Sequence, residues 1–112
     1  MRLVDCPLCR GRGRLVAKKH WKVLGEVRCP VCDGEGKIYV VEPNDIVDVE
    51  IMFRNTDFET AVIHKKGTLV PRFRHATMSV REVFGQYRSV GFCYHCFGKY
   101  VLYNNELYRT DW

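Results

Sequence analysis

No stretch of this 112-residue chain approaches the length of an apolar membrane span. The opening Met1-Arg2-Leu3-Val4-Asp5-Cys6 has neither an apolar leader core nor a small-residue cleavage site, so a soluble, cytoplasmic protein without a membrane partner is expected. No low-complexity linker is visible either, which leaves only a soft boundary near Glu42 to Asn44, between residues 1–41 and 42–112. None of the six cysteines stands outside a C-x2-C pair. That spacing argues against a secreted disulfide framework and for reduced thiols that chelate. A chain this short buries only about two-thirds of its unfolded surface, which makes a metal clip valuable.

The charge is uneven. The chain carries a formal +5; residues 1–41 hold nine Lys or Arg against four Asp or Glu, whereas residues 42–112 hold nine of each. Four thiolates and one divalent cation would lower the first segment to +3, still basic.

That segment contains one short pattern twice: Cys6-Pro7-Leu8-Cys9-Arg10-Gly11-Arg12-Gly13 and Cys29-Pro30-Val31-Cys32-Asp33-Gly34-Glu35-Gly36. Zinc favours thiolates and takes four ligands in a tetrahedron, so Cys6, Cys9, Cys29 and Cys32 are the expected ligands of one structural Zn2+. Gly11 and Gly34 are expected where the turn passes through positive φ and aims N–H groups at sulfur, with Gly13 and Gly36 releasing the strand. Between the knuckles, Leu15-Val16-Ala17 and Trp21-Lys22-Val23-Leu24 predict a β-hairpin closed by Gly25, with His20 at its tip and not on the metal.

Residues 6–36 resemble the cysteine-rich zinc finger of the DnaJ chaperone family, whose repeat is C-x-x-C-x-G-x-G, and are similar to the small anti-TRAP regulators with two such repeats. The resemblance implies the metal site at Cys6, Cys9, Cys29 and Cys32 and a precedent for binding polypeptides. It does not imply co-chaperone activity, because only two full repeats exist and no His-Pro-Asp tripeptide occurs.

Beyond Gly36 the periodicity becomes that of strands. Ile38 to Val41 reads as a strand, Pro43-Asn44-Asp45 as a turn, and Val47, Val49, Ile51 and Phe53 alternate with Asp48, Glu50, Met52 and Arg54 as a half-buried strand. Hairpins are expected about Lys66-Gly67, joining Phe58–Lys65 to Thr68–Phe73, and about Asn104-Asn105, joining Tyr100–Tyr103 to Leu107–Arg109. Ser79-Val80-Arg81-Glu82 is a capping-box sequence for one short helix stopped by Gly85. The expected fold is small and mainly β: a zinc-clipped hairpin finger packed on a small antiparallel β domain with one short helix.

The third pair, Cys93-Tyr94-His95-Cys96, lacks the full glycine pattern. With His64 and His75 it can make a second, Cys2His2 metal site; alternatively the thiols pack reduced among aromatics, or another copy of the chain donates ligands, making a homo-oligomer. Phe92, Tyr94, Phe97, Tyr100, Tyr103, Tyr108 and Trp112, with Arg88, Lys99 and Arg109, suit either a stacking platform or a sheet core.

Three functional classes follow. Arg10, Arg12, Arg14, Lys18, Lys19, Lys22 and Arg28, opposed by Glu26, suit nucleic-acid phosphates or a merely solvated face. A protein-binding regulator is suggested by the resemblance and by acidic Glu42, Asp45, Asp48, Glu50, Asp57 and Glu59. An enzyme would be nuclease-like, through Asp48, Glu50, Glu59 and Lys65, or a dithiol redox protein, through Cys93 and Cys96. The redox version is disfavoured because no βαβ context surrounds the pair and no helix start is expected there. Acidic residues alternating along a strand are expected to be its wet face.

Overall fold

The computed structural model describes residues 1–19, 22–54, 58–69 and 74–112. Within them lie strands β1 (Arg2–Asp5), β2 (Arg14–Lys19), β3 (Lys22–Arg28), β4 (Lys37–Val41), β5 (Ile46–Arg54), β6 (Phe58–His64) and β7 (His75–Ser79), then helix α1 (Val80–Gln86), β8 (Ser89–Phe92), α2 (Tyr94–Phe97), β9 (Tyr100–Tyr103) and β10 (Glu106–Arg109). The small, mainly β class expected from the sequence is what the chain adopts. They form a four-stranded sheet ordered β1-β4-β9-β10, the hairpin β2-β3, and a second four-stranded sheet ordered β7-β5-β6-β8.

The sheets are not purely antiparallel, because β4 pairs with β9 and β6 with β8 in parallel. A parallel partner needs a long crossover, and here β7 and α1 supply the one between β6 and β8. The hairpin expected about Lys66-Gly67 does not form: a turn closes through the Thr68 N–H on the Lys65 carbonyl, but both sides of β6 are already taken by β5 and β8. Of its expected second strand, residues 70–73 lie outside the described residues. The other hairpin forms as expected, with Asn104 and Asn105 both at positive φ, 51° and 62°, the geometry of a type I′ turn.

The sheet β1-β4-β9-β10 is a wall between two cores. Alternate residues of β9 face opposite ways: Val101 and Tyr103 join the core of Val41, Val47, Val49, Ile63, Val80 and Phe92, whereas Tyr100 and Leu102 pack on the cysteine cluster with Val31 and Ile38. In β4, Ile38 faces the cysteines while Tyr39 and Val41 face the larger core. Period-two alternation thus apportions one sheet's two faces between a metal-type core and an aliphatic one.

Helix α1 is capped as expected, the Ser79 hydroxyl accepting from the Glu82 N–H at 3.3 Å and donating to the Glu82 carboxylate at 3.1 Å. It runs through Gly85 to Gln86. A second helix, α2, forms at the third cysteine pair, where none was expected. The aromatic stripe is largely core, with Phe92, Phe97 and Tyr103 buried.

Strand β5 departs from the expected wet face. Asp48 is buried, accepting from the Thr77 hydroxyl and the Gly67 N–H, each at 2.7 Å. Burial opposes its ionisation, yet these donors and nearby His75 hold its carboxyl below the usual range.

Candidate metal centre

Each knuckle is a turn whose second cysteine is followed by two left-handed residues: Arg10 (φ 56°) and Gly11 (84°) in the first, Asp33 (55°) and Gly34 (85°) in the second. Left-handed backbone curls the chain so that its N–H groups converge on one side. The Gly13 N–H then donates to Cys9 Sγ and the Gly36 N–H to Cys32 Sγ, both at 3.2 Å. Gly13 and Gly36 thus donate to sulfur as well as releasing the strand, and at Cys32 the N–H of the turn residue Gly34 also favours the thiolate, as expected.

The knuckles lock reciprocally. Cys6 N–H donates to the Gly36 carbonyl at 2.8 Å and Cys29 N–H to the Gly13 carbonyl at 2.9 Å, an approximate two-fold relation between the repeats. Hairpin β2-β3 carries one knuckle to the other; β3 runs through Gly25 to Arg28, with the pairing shifted between Ala17 and Lys18. His20, the expected tip, lies outside the described residues, as do the side chains of Lys18, Lys19 and Lys22.

The four sulfurs of Cys6, Cys9, Cys29 and Cys32 lie within 4.8 Å of one another, all four residues being buried. Cys6 and Cys29 sulfurs are 3.8 Å apart, Cys9 and Cys32 3.6 Å. These separations are far above the roughly 2.04 Å of a disulfide. They suit thiolates placed about 2.3 Å from a shared tetrahedral ion, which requires roughly 3.8 Å between sulfurs. Burial pushes the Cys6 thiol up to about 12, and burial also raises Cys32. At Cys9 burial acts the same way, but the Gly13 N–H and the neighbouring thiols bring the value down to about 7. Four buried thiolates are untenable alone; a divalent cation removes the repulsion and the desolvation cost together. The group can hold a metal ion.

A second group comprises His64, Cys93 and Cys96, their ligand atoms within 4.8 Å of one another. Cys93 follows β8 and donates its N–H to the Ile63 carbonyl at 3.0 Å, which seats it beside His64. The single turn of α2 then folds Cys96 back, 3.7 Å from His64 Nδ1. Burial raises the Cys93 thiol, although α2 begins immediately after it. His75 is not brought into the group: it sits on β7 opposite Glu50, across β5 from β6, and the second site expected as Cys2His2 contains one histidine. Glu50, a candidate in the sequence only among the acidic and nuclease-like sets, meets His64 Nε2 at 2.9 Å, a pairing that only the register of β5 against β6 creates.

The other candidates are dispersed. Asp48 meets Thr77 and Gly67, Glu50 meets His64, Glu59 meets Arg74, and Lys65 Nζ reaches the Tyr39 hydroxyl at 2.5 Å, so the nuclease-like set shares no focus. Among the basic residues, Arg10, Arg12, Arg14 and Arg28 are exposed. Arg14 faces Glu26 at 3.8 Å and Arg28 faces Asp33 at 3.9 Å, exposed pairs that neutralise little. No helix among the described residues is long and apolar enough to cross a membrane. Comparison with protein-family models, with curated proteins and with solved structures finds no match.

Proposed function

We propose that this chain is a non-catalytic zinc-binding interaction protein, in which Cys6, Cys9, Cys29 and Cys32 hold one structural Zn2+ and the clipped basic finger engages a nucleic acid. The observation carrying the reading is the closed, buried tetrad of sulfurs. Four protein ligands leave no position for substrate, which is the mark of a structural site, and thiolates select zinc among abundant divalent ions. Arg10, Arg12, Arg14 and Arg28 stand exposed around the knuckles, at positions the metal would make rigid. Cytoplasmic residence accords with six unpaired cysteines.

The test uses the full chain and fluorescent single- and double-stranded oligonucleotides at increasing salt. Affinity is expected to fall steeply, and Arg12→Gln with Arg14→Gln to weaken binding and flatten the salt slope by about two. Salt-insensitive binding, or binding unchanged by the substitutions, overturns the nucleic-acid reading.

A polypeptide partner is the second reading, favoured by Leu8, Val16 and Val27, about half exposed on the same finger. The likeness of the repeats to DnaJ-type and anti-TRAP fingers supports it. It predicts association that survives nuclease and high salt and is lost in Leu8→Ser with Val27→Ser.

A further inference from the structure

We propose that His64, Cys93 and Cys96 form a second zinc site of a different kind, in which Glu50 steers the imidazole and the fourth coordination position takes an exchangeable small donor such as water or a small anion. The inference stands independently of what the basic finger binds.

The imidazole is arranged as a ligand. Its Nε2 lies 2.9 Å from Glu50 Oε1, so the proton sits on Nε2 and is donated to the carboxylate. That tautomer leaves the Nδ1 lone pair free, and Nδ1 is the atom facing Cys96 Sγ at 3.7 Å. A nitrogen about 2.0 Å and a sulfur about 2.3 Å from one tetrahedral ion stand roughly 3.5 Å apart, close to the observed separation. A simple thiol–imidazole hydrogen bond would occupy one sulfur; here a second thiol, Cys93, converges on the same point.

The backbone holds this convergence. The Tyr94 N–H donates to the Trp112 carbonyl at 2.9 Å, the Phe97 N–H to the Cys93 carbonyl at 3.1 Å, and the Gly98 N–H to the Tyr94 carbonyl at 2.8 Å. The last two bonds close the turn bearing both cysteines on itself, and the first pins its start to Trp112, outside the site.

Three ligands, not four, are present among the described residues. Three protein ligands plus an open position distinguish an exchange-competent zinc from a structural one. His64 and Cys93 are buried, but Cys96 is partly exposed and lines a cleft of about 350 Å3 between the second knuckle and α2, beside Asp33, Tyr94 and Lys99. The cleft gives solvent-borne donors a route to the metal.

Native mass spectrometry of the zinc-loaded full chain is expected to show two ions, falling to one in Cys93→Ser with Cys96→Ser and staying at two in His75→Ala. Glu50→Gln should keep both ions but release one about ten- to a hundredfold more readily to a competing chelator. In the cobalt-loaded protein, azide or imidazole should shift the absorption of the three-ligand ion only. An equal ion count in the wild type and the double-serine variant overturns the site while leaving the four-cysteine centre standing; unchanged cobalt absorption overturns the open position. Should the double-serine variant fail to fold, alkylation of the wild type decides: the second equivalent of zinc must protect Cys93 and Cys96, and equal reactivity at one and two equivalents overturns the proposal.

Discussion

Gly13 and Gly34 meet backbone to backbone: a Cβ built on Gly13 would lie 2.4 Å from the Gly34 carbonyl oxygen. The relation is returned on the other side, where a Cβ on Gly36 would lie 2.5 Å from the Gly11 carbonyl oxygen. The repeats therefore interlock through positions at which any side chain would push the knuckles, and their sulfurs, apart.

Gly13→Ala or Gly36→Ala should consequently damage metal binding and stability together. The left-handed backbone alone, at φ 79° and 83°, costs about 1–2 kcal/mol in a residue with a Cβ, and the clash with rigid backbone adds to it. Gly11→Ala should cost less, because its Cβ meets only the movable Asp5 carboxylate, at 3.0 Å. Denaturant midpoints and zinc affinity of the three variants check the ranking.

Gly85→Ala should have the opposite sign. Gly85 lies within α1, nothing stands within 4 Å of its Cβ position, and its φ is not left-handed. Alanine there is expected to stabilise by about 0.5–1 kcal/mol through better helix propensity. Thermal unfolding measures it.

Zinc uptake by the four-cysteine centre should expel protons. In the metal-free chain burial raises the Cys6 thiol to about 12 and raises Cys32, so both hold protons at pH 7 that the metal must displace. Each displaced proton costs about a tenfold loss of apparent affinity per unit fall in pH. Titration with a chromophoric chelator between pH 6 and 8 should show affinity falling on acidification, with proton release visible in weak buffer.

Asp48 supplies a test of acid stability. Its carboxyl titrates below the ordinary 3.8, so the stability its ionised form contributes is complete above that value and is lost as pH falls through the depressed one. Asp48→Ala should cost about 1–3 kcal/mol at pH 7, leaving the Thr77 hydroxyl and Gly67 N–H without their acceptor. The difference from wild type should shrink in acid, as denaturant unfolding at pH 7 and pH 3 would show.

What could be read beforehand was local. The duplicated cysteines, the Ser79–Glu82 cap and the Asn104-Asn105 turn each draw their signal from residues a few positions apart, and the structure forms all three. What escaped depends on register across distant strands. The pairing of β5 with β6 puts Glu50 beside His64 and leaves His75 on the far side of β5, although both histidines were equal candidates as a list of residue types. Asp48 looked solvent-facing because alternation tells which residues share a face, not whether that face is covered. The knuckle turns pass through positive φ at Gly11 and Gly34 as expected, but Arg10 and Asp33 adopt it too, and the sulfur donors extend to Gly13 and Gly36.

The wall strand β4 bears on the order in which the molecule is made. Both cysteine pairs of the first centre precede residue 37, so a cation can be captured early in synthesis. Strand β4 gains β1 as a neighbour at that stage, but its opposite edge waits for β9, more than fifty residues later. During translation a metal-loaded finger would therefore carry an open strand edge, a template on which nascent chains can pair with one another.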